Sequence, residues 1–291
     1  MILRGHNMPE LPEVETISRE LRKAISGKKI SQINVLTNKP WQANKEDIVG
    51  QKILTVRRRA KNLVIDLSNG YSLYFHLKMT GQLVYREKSV TSSPKEKGVW
   101  WAELPNKHTH VVFEFANGGV LYFNDLRKFG WIRSSKTSEL LINQEKDFGI
   151  EPLSNDFTFE ILSQIIKSHP KQNIKKILTD QTLIAGIGNI YADESLFYAG
   201  ILPTRLGVSV KKQEISKLRE SIIKSLTLGI THKGASDRDY IDAHGERGSM
   251  QKFFMVYKNE GQSCQIKTCT GKIQKIRLNG RGTHFCESCQ K

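Results

Sequence analysis

What this chain has least of is cysteine away from its carboxyl end. All four cysteines, Cys264, Cys269, Cys286 and Cys289, lie in the last 28 of 291 residues, so none is left to cross-link residues 1–263. No apolar run approaches the roughly 18 residues that a bilayer span needs. The opening Met1–Asn7 has no apolar stretch of the secretory kind. A soluble, intracellular protein is expected, long enough for two domains with buried cores. Acid is also short: 29 Asp and Glu stand against 45 Lys and Arg, a net charge of +16. Such a surplus attracts polyanions, nucleic acid first. A generally Lys-rich composition would look the same, and an acidic membrane surface would need a basic amphipathic anchor that is missing.

Periodicity organises the rest. Val14, Ile17, Leu21 and Ile25 mark one face of a helix that begins near Pro12 and stops at Gly27. Strands Leu63–Leu67 and Tyr71–Leu77 flank Ser68-Asn69-Gly70, and Val111–Phe115 and Val120–Phe123 flank Asn117-Gly118-Gly119, both hairpin signals. The polar stretches 134–139 and 152–156 place a domain boundary near them. Beyond it the pattern turns helical, at Phe159–Ser168, Asn173–Leu178, Ala192–Ala199 and Lys211–Leu228. The tail, 260–291, reads as short strands with paired cysteines.

Four segments carry chemistry. The spacing C-x4-C-x16-C-x2-C suits a tetrahedral zinc site with no open position, hence a structural one, the alternatives being disulfides or free thiols. Between the pairs runs a basic hairpin tip, Arg277 to His284, which is either a phosphate-reaching element or a solvated turn. Ile184-Ala185-Gly186-Ile187-Gly188-Asn189-Ile190-Tyr191 joins two helices. Its glycines could admit an anion, with Asn189 capping the helix or donating to a phosphate, but alone it is an ordinary connection. Arg57, Arg59 and Lys61 share one strand face opposite Val56 and Ala60, as a phosphate-binding stripe or a solvated edge. Most unusual is Met8-Pro9-Glu10-Leu11-Pro12-Glu13-Val14-Glu15-Thr16. An acidic first turn explains Glu13 and Glu15 but not the repeated Pro-Glu. Removing the Met would expose a secondary amine able to form an iminium with an aldehyde-level sugar carbon.

Read together, these segments resemble the formamidopyrimidine-DNA glycosylases, bacterial oxidised-purine glycosylases related to endonuclease eight. The resemblance runs from Met8 to Lys291 through Pro9–Thr16, Arg58-Arg59-Ala60-Lys61, His76-Leu77-Lys78-Met79-Thr80-Gly81, Asp125-Leu126-Arg127-Lys128-Phe129-Gly130, Gly186–Tyr191 and the cysteine-rich tail with Arg281.

The resemblance implies a multi-domain α+β fold. Residues 1–7 would be an extension absent from the mature enzyme. An N-terminal catalytic antiparallel β-sandwich would span 8–138, a hinge 139–156, a helix–two-turn–helix domain with a lid loop 157–255, and a zinc finger 256–291. It implies excision of 8-oxoguanine and formamidopyrimidines from duplex DNA, then β,δ-elimination at the abasic site. Pro9 would be the nucleophile and Glu10 the general acid/base. Lys61 and Arg281, with Asn189, His76 and Lys175, would clamp phosphates, and Glu13 would position the sugar. Met79, Arg127 and Phe129 would fill the gap left by an extruded nucleotide, and Lys128 would touch a phosphate. Cys264, Cys269, Cys286 and Cys289 would hold one Zn2+. The chain would act as a monomer in a bacterial cytoplasm, on the nucleoid when bound to DNA. A mobile lid is expected within Ala235–Phe254. The family usually has x2 in the first cysteine pair, Pro at Leu126, Arg at Lys128 and a small residue at Lys78. Rival readings are an endonuclease-eight-like enzyme for oxidised pyrimidines and a zinc-ribbon DNA-binding protein without lyase activity.

Overall fold

The computed structural model describes residues 8–87, 99–236 and 238–291. The chain divides into two compact units. One runs up to Gln144 and takes in His232–Gln251, and the other comprises Glu145–Thr231 and Lys252–Lys291.

The first unit begins with helix α1 (Leu11–Ile25). Its buried stripe of Val14, Ile17, Leu21 and Ile25 packs on strands β3 (Ile53–Arg59) and β4 (Asn62–Leu67). Each of these side chains contributes roughly 1.5–3 kcal/mol by leaving water. Strands β1 (Ile30–Val35), β2 (Trp41–Gln42), β5 (Tyr71–His76), β6 (Gly81–Arg86), β7 (Thr109–Phe115), β8 (Val120–Asp125) and β9 (Trp131–Lys136) complete two sheets. Their orders are β1-β7-β8-β6 and β2-β9-β5-β4-β3. Phe75 of the second sheet meets Phe113 and Phe123 of the first at 6.1 and 6.5 Å between ring centres, so the sheets pack face to face as a sandwich.

The second unit holds helices α3 (Phe159–Ser168), α4 (Ile174–Thr179), α5 (Asn189–Ala199) and α6 (Lys212–Thr231), then the hairpin β10 (Ile273–Leu278) and β11 (Arg281–Cys286). Helix α5 is buried nearly all round, with Asp193, Glu194 and Ser195 buried among its apolar side chains. It meets α6 where Gly229 leaves room for Tyr191; a Cβ there would sit 2.5 Å from the Tyr191 hydroxyl. No helix among the described residues is long and apolar enough to cross a membrane.

Two features depart from the sequence reading. The stretch 134–139, expected as a boundary loop, is the end of β9 and the start of helix α2 (Thr137–Asp147). That helix buries only Leu140 and Gln144, leaving little periodic signal to find. The lid region, expected in the second domain, instead belongs mostly with the sandwich. Tyr85 N–H donates to Ala243 O (2.8 Å), Gln82 Nε2 to Asp239 O (2.7 Å), and Ile241 is buried with Val84 and Trp101.

Glu194, fully buried on α5, accepts the N–H groups of Met255, Val256 and Tyr257 at 2.9–3.0 Å. Burial pushes its carboxyl up to about 7 against the pull of those donors. The folded state therefore holds a proton that the unfolded state releases near 4.5. The associated stability is present below that value and is lost as pH rises toward 7. Denaturant titrations at several pH values should show this decline, and Glu194→Gln should flatten it.

Candidate active site and nucleic-acid interface

In the first unit, Pro9 and Glu10 are buried immediately before α1, with Glu10 as its N-cap in extended backbone. Glu13 completes a capping arrangement: its Oε2 accepts the Glu10 N–H at 2.8 Å. Its Oε1 accepts the Ala235 N–H, also at 2.8 Å, and Tyr240 Oη donates to its carbonyl at 3.2 Å. Glu13 thus holds both the Glu10 backbone and the segment that begins at Gly234.

Lys61 sits in the two-residue turn between β3 and β4, where Ala60 takes a left-handed φ of 53°. It is buried and close enough to His76 to act on its charge. The stripe of Arg57, Arg59 and Lys61 is interrupted, because Arg57 is committed to Asp66 at 2.7 Å and Lys61 lies beyond the strand. His76 accepts the Lys78 N–H on Nδ1 at 2.9 Å, so its Nε2 carries the proton. Burial, with Lys78 and Lys61 adding repulsion, holds it down to about 3. His76 is therefore a neutral donor, not a cation, at physiological pH.

Met79 and the loop 126–130 come together. Arg127 Nη1 lies 3.0 Å from Met79 Sδ, and its guanidinium stacks 4.6 Å from the centre of the Phe129 ring. Phe129 is 48% exposed, which a core residue of its size would not be. The organiser is Asp125, fully buried, whose carboxylate accepts from Thr80 Oγ1, from Arg127 N–H (3.1 Å) and from Gly130 N–H (2.7 Å). Nothing in the motif around Asp125 marks it as this organiser. Its role is invisible in sequence because its partners belong to two different loops.

In the second unit, Asn279 and Gly280 form the tight turn between β10 and β11, with φ of 51° and 77°. The turn presents Arg281, which is exposed. Asn279 exchanges two amide hydrogen bonds with Asn173, the N-cap of α4, at 3.0 and 3.2 Å. Asn189 is the first residue of α5, whose cap is Gly188; the expected capping role is therefore not its own. Its Nδ2 donates to Gly282 O at 2.9 Å, beside Arg281.

Lys175 requires a correction. It is 3% exposed, with its ammonium 2.6 Å from Asp193 Oδ1, off the hydrogen-bond axis, and 2.8 Å from Thr283 Oγ1. Asp193 Oδ2 in turn accepts the His284 N–H at 2.9 Å. Lys175 is a strut that fixes the hairpin to α4 and α5, whereas the expected phosphate clamp would have to be exposed.

The four cysteine sulfurs lie within 4.8 Å of one another, with Cys264–Cys289 at 3.6 Å and Cys269–Cys286 at 3.7 Å. A tetrahedron of zinc–sulfur bonds near 2.3 Å has edges of about 3.8 Å, so the set fits one structural Zn2+. The longer first pair is accommodated because Cys269 N–H folds back to Ile266 O, and Gly271 N–H reaches Cys269 Sγ at 3.3 Å.

Comparison with known proteins covers nearly all of the chain. The formamidopyrimidine-DNA glycosylase N-terminal domain matches residues 8–132, its H2TH domain 148–240, and the zinc finger found in FPG and IleRS 264–291. A formamidopyrimidine-DNA glycosylase of Pelotomaculum thermopropionicum is 42% identical over 290 residues, covering 98% of this chain and 99% of its own. A Lactococcus lactis FPG mutant, solved with Fapy-dG containing DNA, is 35% identical over 97% of this chain and 100% of its own, with a TM-score of 0.84. A MutM in complex with carbocyclic 8-oxo-G containing DNA is 34% identical with a TM-score of 0.83, over 97% of this chain and 100% of its own.

Lys175→Ala and Arg281→Ala should fail differently. Removing the strut leaves Asp193 buried without its cation, which costs on the order of 3–5 kcal/mol in denaturant unfolding. Removing exposed Arg281 should leave stability within about 0.5 kcal/mol and lower the slope of log affinity against log salt by about 0.9 for one lost phosphate contact. His76→Gln, which removes no charge, should leave that slope unchanged.

Proposed function

Because the chain belongs to the formamidopyrimidine-DNA glycosylase family, we propose that it excises oxidised purines from duplex DNA and then cleaves the strand at the abasic site. The observation that carries this reading is the Pro9-Glu10 pair at the buried entrance of α1, its backbone held by Glu13. In this proposal a damaged nucleotide leaves the stack at a cost of a few kcal/mol. Met79 and Phe129 fill the gap as apolar wedges, and the Arg127 guanidinium bonds the partner base. Their association around one Asp125-organised loop supports a preference for purine lesions.

The Pro9 nitrogen attacks C1′ of the extruded nucleotide and the damaged base leaves. Glu10 delivers a proton to the sugar ring oxygen as the C1′–O4′ bond opens, giving an iminium. Loss of a proton from C2′ then expels the 3′ phosphate, and a second elimination expels the 5′ phosphate. Lys61 and Arg281, with the neutral donors His76 and Asn189, hold the flanking phosphates. Zinc, when bound, pins the hairpin that presents Arg281 and takes no part in the chemistry, since four sulfur ligands leave no open position.

This route requires an amine. A Pro9 nitrogen acylated by Met8 is part of a planar amide whose lone pair is delocalised. Borohydride trapping on duplex with 8-oxoguanine opposite cytosine tests the assignment directly. A chain beginning at Pro9 should form a covalent protein–DNA adduct, and a chain retaining residues 1–8 should not. No adduct from the former would overturn the nucleophile. Stronger trapping on thymine glycol than on 8-oxoguanine would overturn the purine preference.

A further inference from the structure

Beside the Arg127–Phe129 loop lies a concavity of about 530 Å3, lined by Lys39, Gln42, Lys78, Lys128, Phe129 and Trp131. Three of these side chains are lysines and none is acidic. A fourth cation stands at the wall, for the Arg133 guanidinium stacks 4.3 Å from the centre of the Trp131 ring and its Nε donates to Gln42 Oε1 at 2.9 Å. Lys39 Nζ lies 5.9 Å from the centre of the Phe129 ring. The lining therefore combines aromatic faces with cations, a combination suited to a phosphodiester beside a sugar or base face.

The backbone adds a second observation. Lys78 and Lys128 both occupy the left-handed region, with φ of 52° and 56°. Glycine would hold either position without strain. Strained backbone of this kind collects at ligand sites. At Lys78 the structural function of the turn needs only its N–H, which donates to His76 Nδ1. The lysine side chain contributes nothing to that bond, and its ammonium lowers the proton affinity of His76.

We propose that this concavity binds a backbone phosphate of the undamaged strand, with Lys39 and Lys78 joining Lys128 around it. The proposal rests on the reading of function given above. Phe129 is at once a gap-filling side chain and a wall of the concavity. The lysines around it thus stand nearest the strand that carries the unpaired partner base. Lys61 and His76, on the β3–β4 turn and the end of β5, serve the damaged strand.

The test compares Lys39→Ala, Lys78→Gly and the double variant with the parent on two ligands, a lesion-bearing duplex and the same lesion-bearing strand alone. The double variant should bind the duplex roughly tenfold more weakly, and its log–log salt slope should fall by about 0.9, one phosphate contact. Binding to the single strand should be unchanged. The Lys78→Gly variant should melt no lower than the parent, because glycine relieves the left-handed backbone. A purely structural lysine would predict the opposite sign.

Single methylphosphonate linkages walked along the undamaged strand give an independent readout. One position should weaken the parent and leave the double variant unaffected. Equal losses on duplex and single strand would place the phosphate on the damaged strand and overturn the proposal, as would unchanged duplex binding. A parent without duplex affinity would overturn the functional reading itself, whereas a parent that binds beside unaffected variants would overturn only the inference.

Discussion

Glu13 has two carboxylate oxygens, and both are taken by backbone N–H groups that no helical turn could satisfy. A helix leaves its first N–H groups without internal partners. One oxygen supplies that need at Glu10, which fixes the backbone of the Pro9-Glu10 pair. The other holds Ala235, more than two hundred residues along the chain. Gly234 must be glycine for this to work. It has a φ of +78°, and a Cβ would lie 2.8 Å from Glu13 Cγ. The amino end of α1 and the segment His232–Gln251 therefore share a single anchor. Losing that carboxylate would strand two buried donors, each worth about 1–3 kcal/mol.

The second unit applies the same device on α5, where Asp193 and Glu194 are consecutive. Asp193 faces Lys175 and the His284 N–H, and Glu194 gathers three N–H groups at 255–257. With Asp125, and with Asp242, whose Oδ1 accepts the His244 and Glu246 N–H groups, these carboxylates are buried as organisers of loops. In a chain with 29 acids against 45 bases, placing acids inside has a clear electrostatic result. Six acids, Glu10, Glu13, Asp125, Asp193, Glu194 and Asp242, are buried among the described residues, while cations such as Lys39, Lys128 and Arg281 remain exposed.

Much of this was legible from the chain alone, for specific reasons. The α1 stripe, the Ser68-Asn69-Gly70 and Asn117-Gly118-Gly119 hairpins, and the four main helices of the second unit follow from local periodicity and turn chemistry. Burial of a continuous face enforces both. The cysteine spacing brought four sulfurs together as expected, despite the longer first pair. Positions whose role depends on a distant partner could not be read. Lys175 looks like any basic residue until Asp193 and Thr283 are seen around it. Arg57 and Arg59 alternate like a binding stripe, but Asp66 claims Arg57. The polar composition of the lid region suggested mobility, and its anchors on Glu13, Gln82 and Tyr85 have no local signature. Lys78, which had no explanation in sequence, occupies a left-handed turn that explains the family's small residue there, while its ammonium points to a charge-based use.

The division of the chain also bears on how it is made. The first unit is discontinuous, since His232–Gln251 reaches it only after the helices of the second unit have been synthesised. Translation is vectorial, and domains generally fold as they emerge from the ribosome. A nascent chain of two hundred residues would hold a sandwich with Glu13 Oε1 lacking its Ala235 donor and with Gln82 and Tyr85 awaiting their partners. The hairpin bearing Arg281 comes later still. The surfaces that would handle DNA are thus completed only after residues 232–251 have been made, so a product released before Ala235 would carry Pro9 without the framework that aims it.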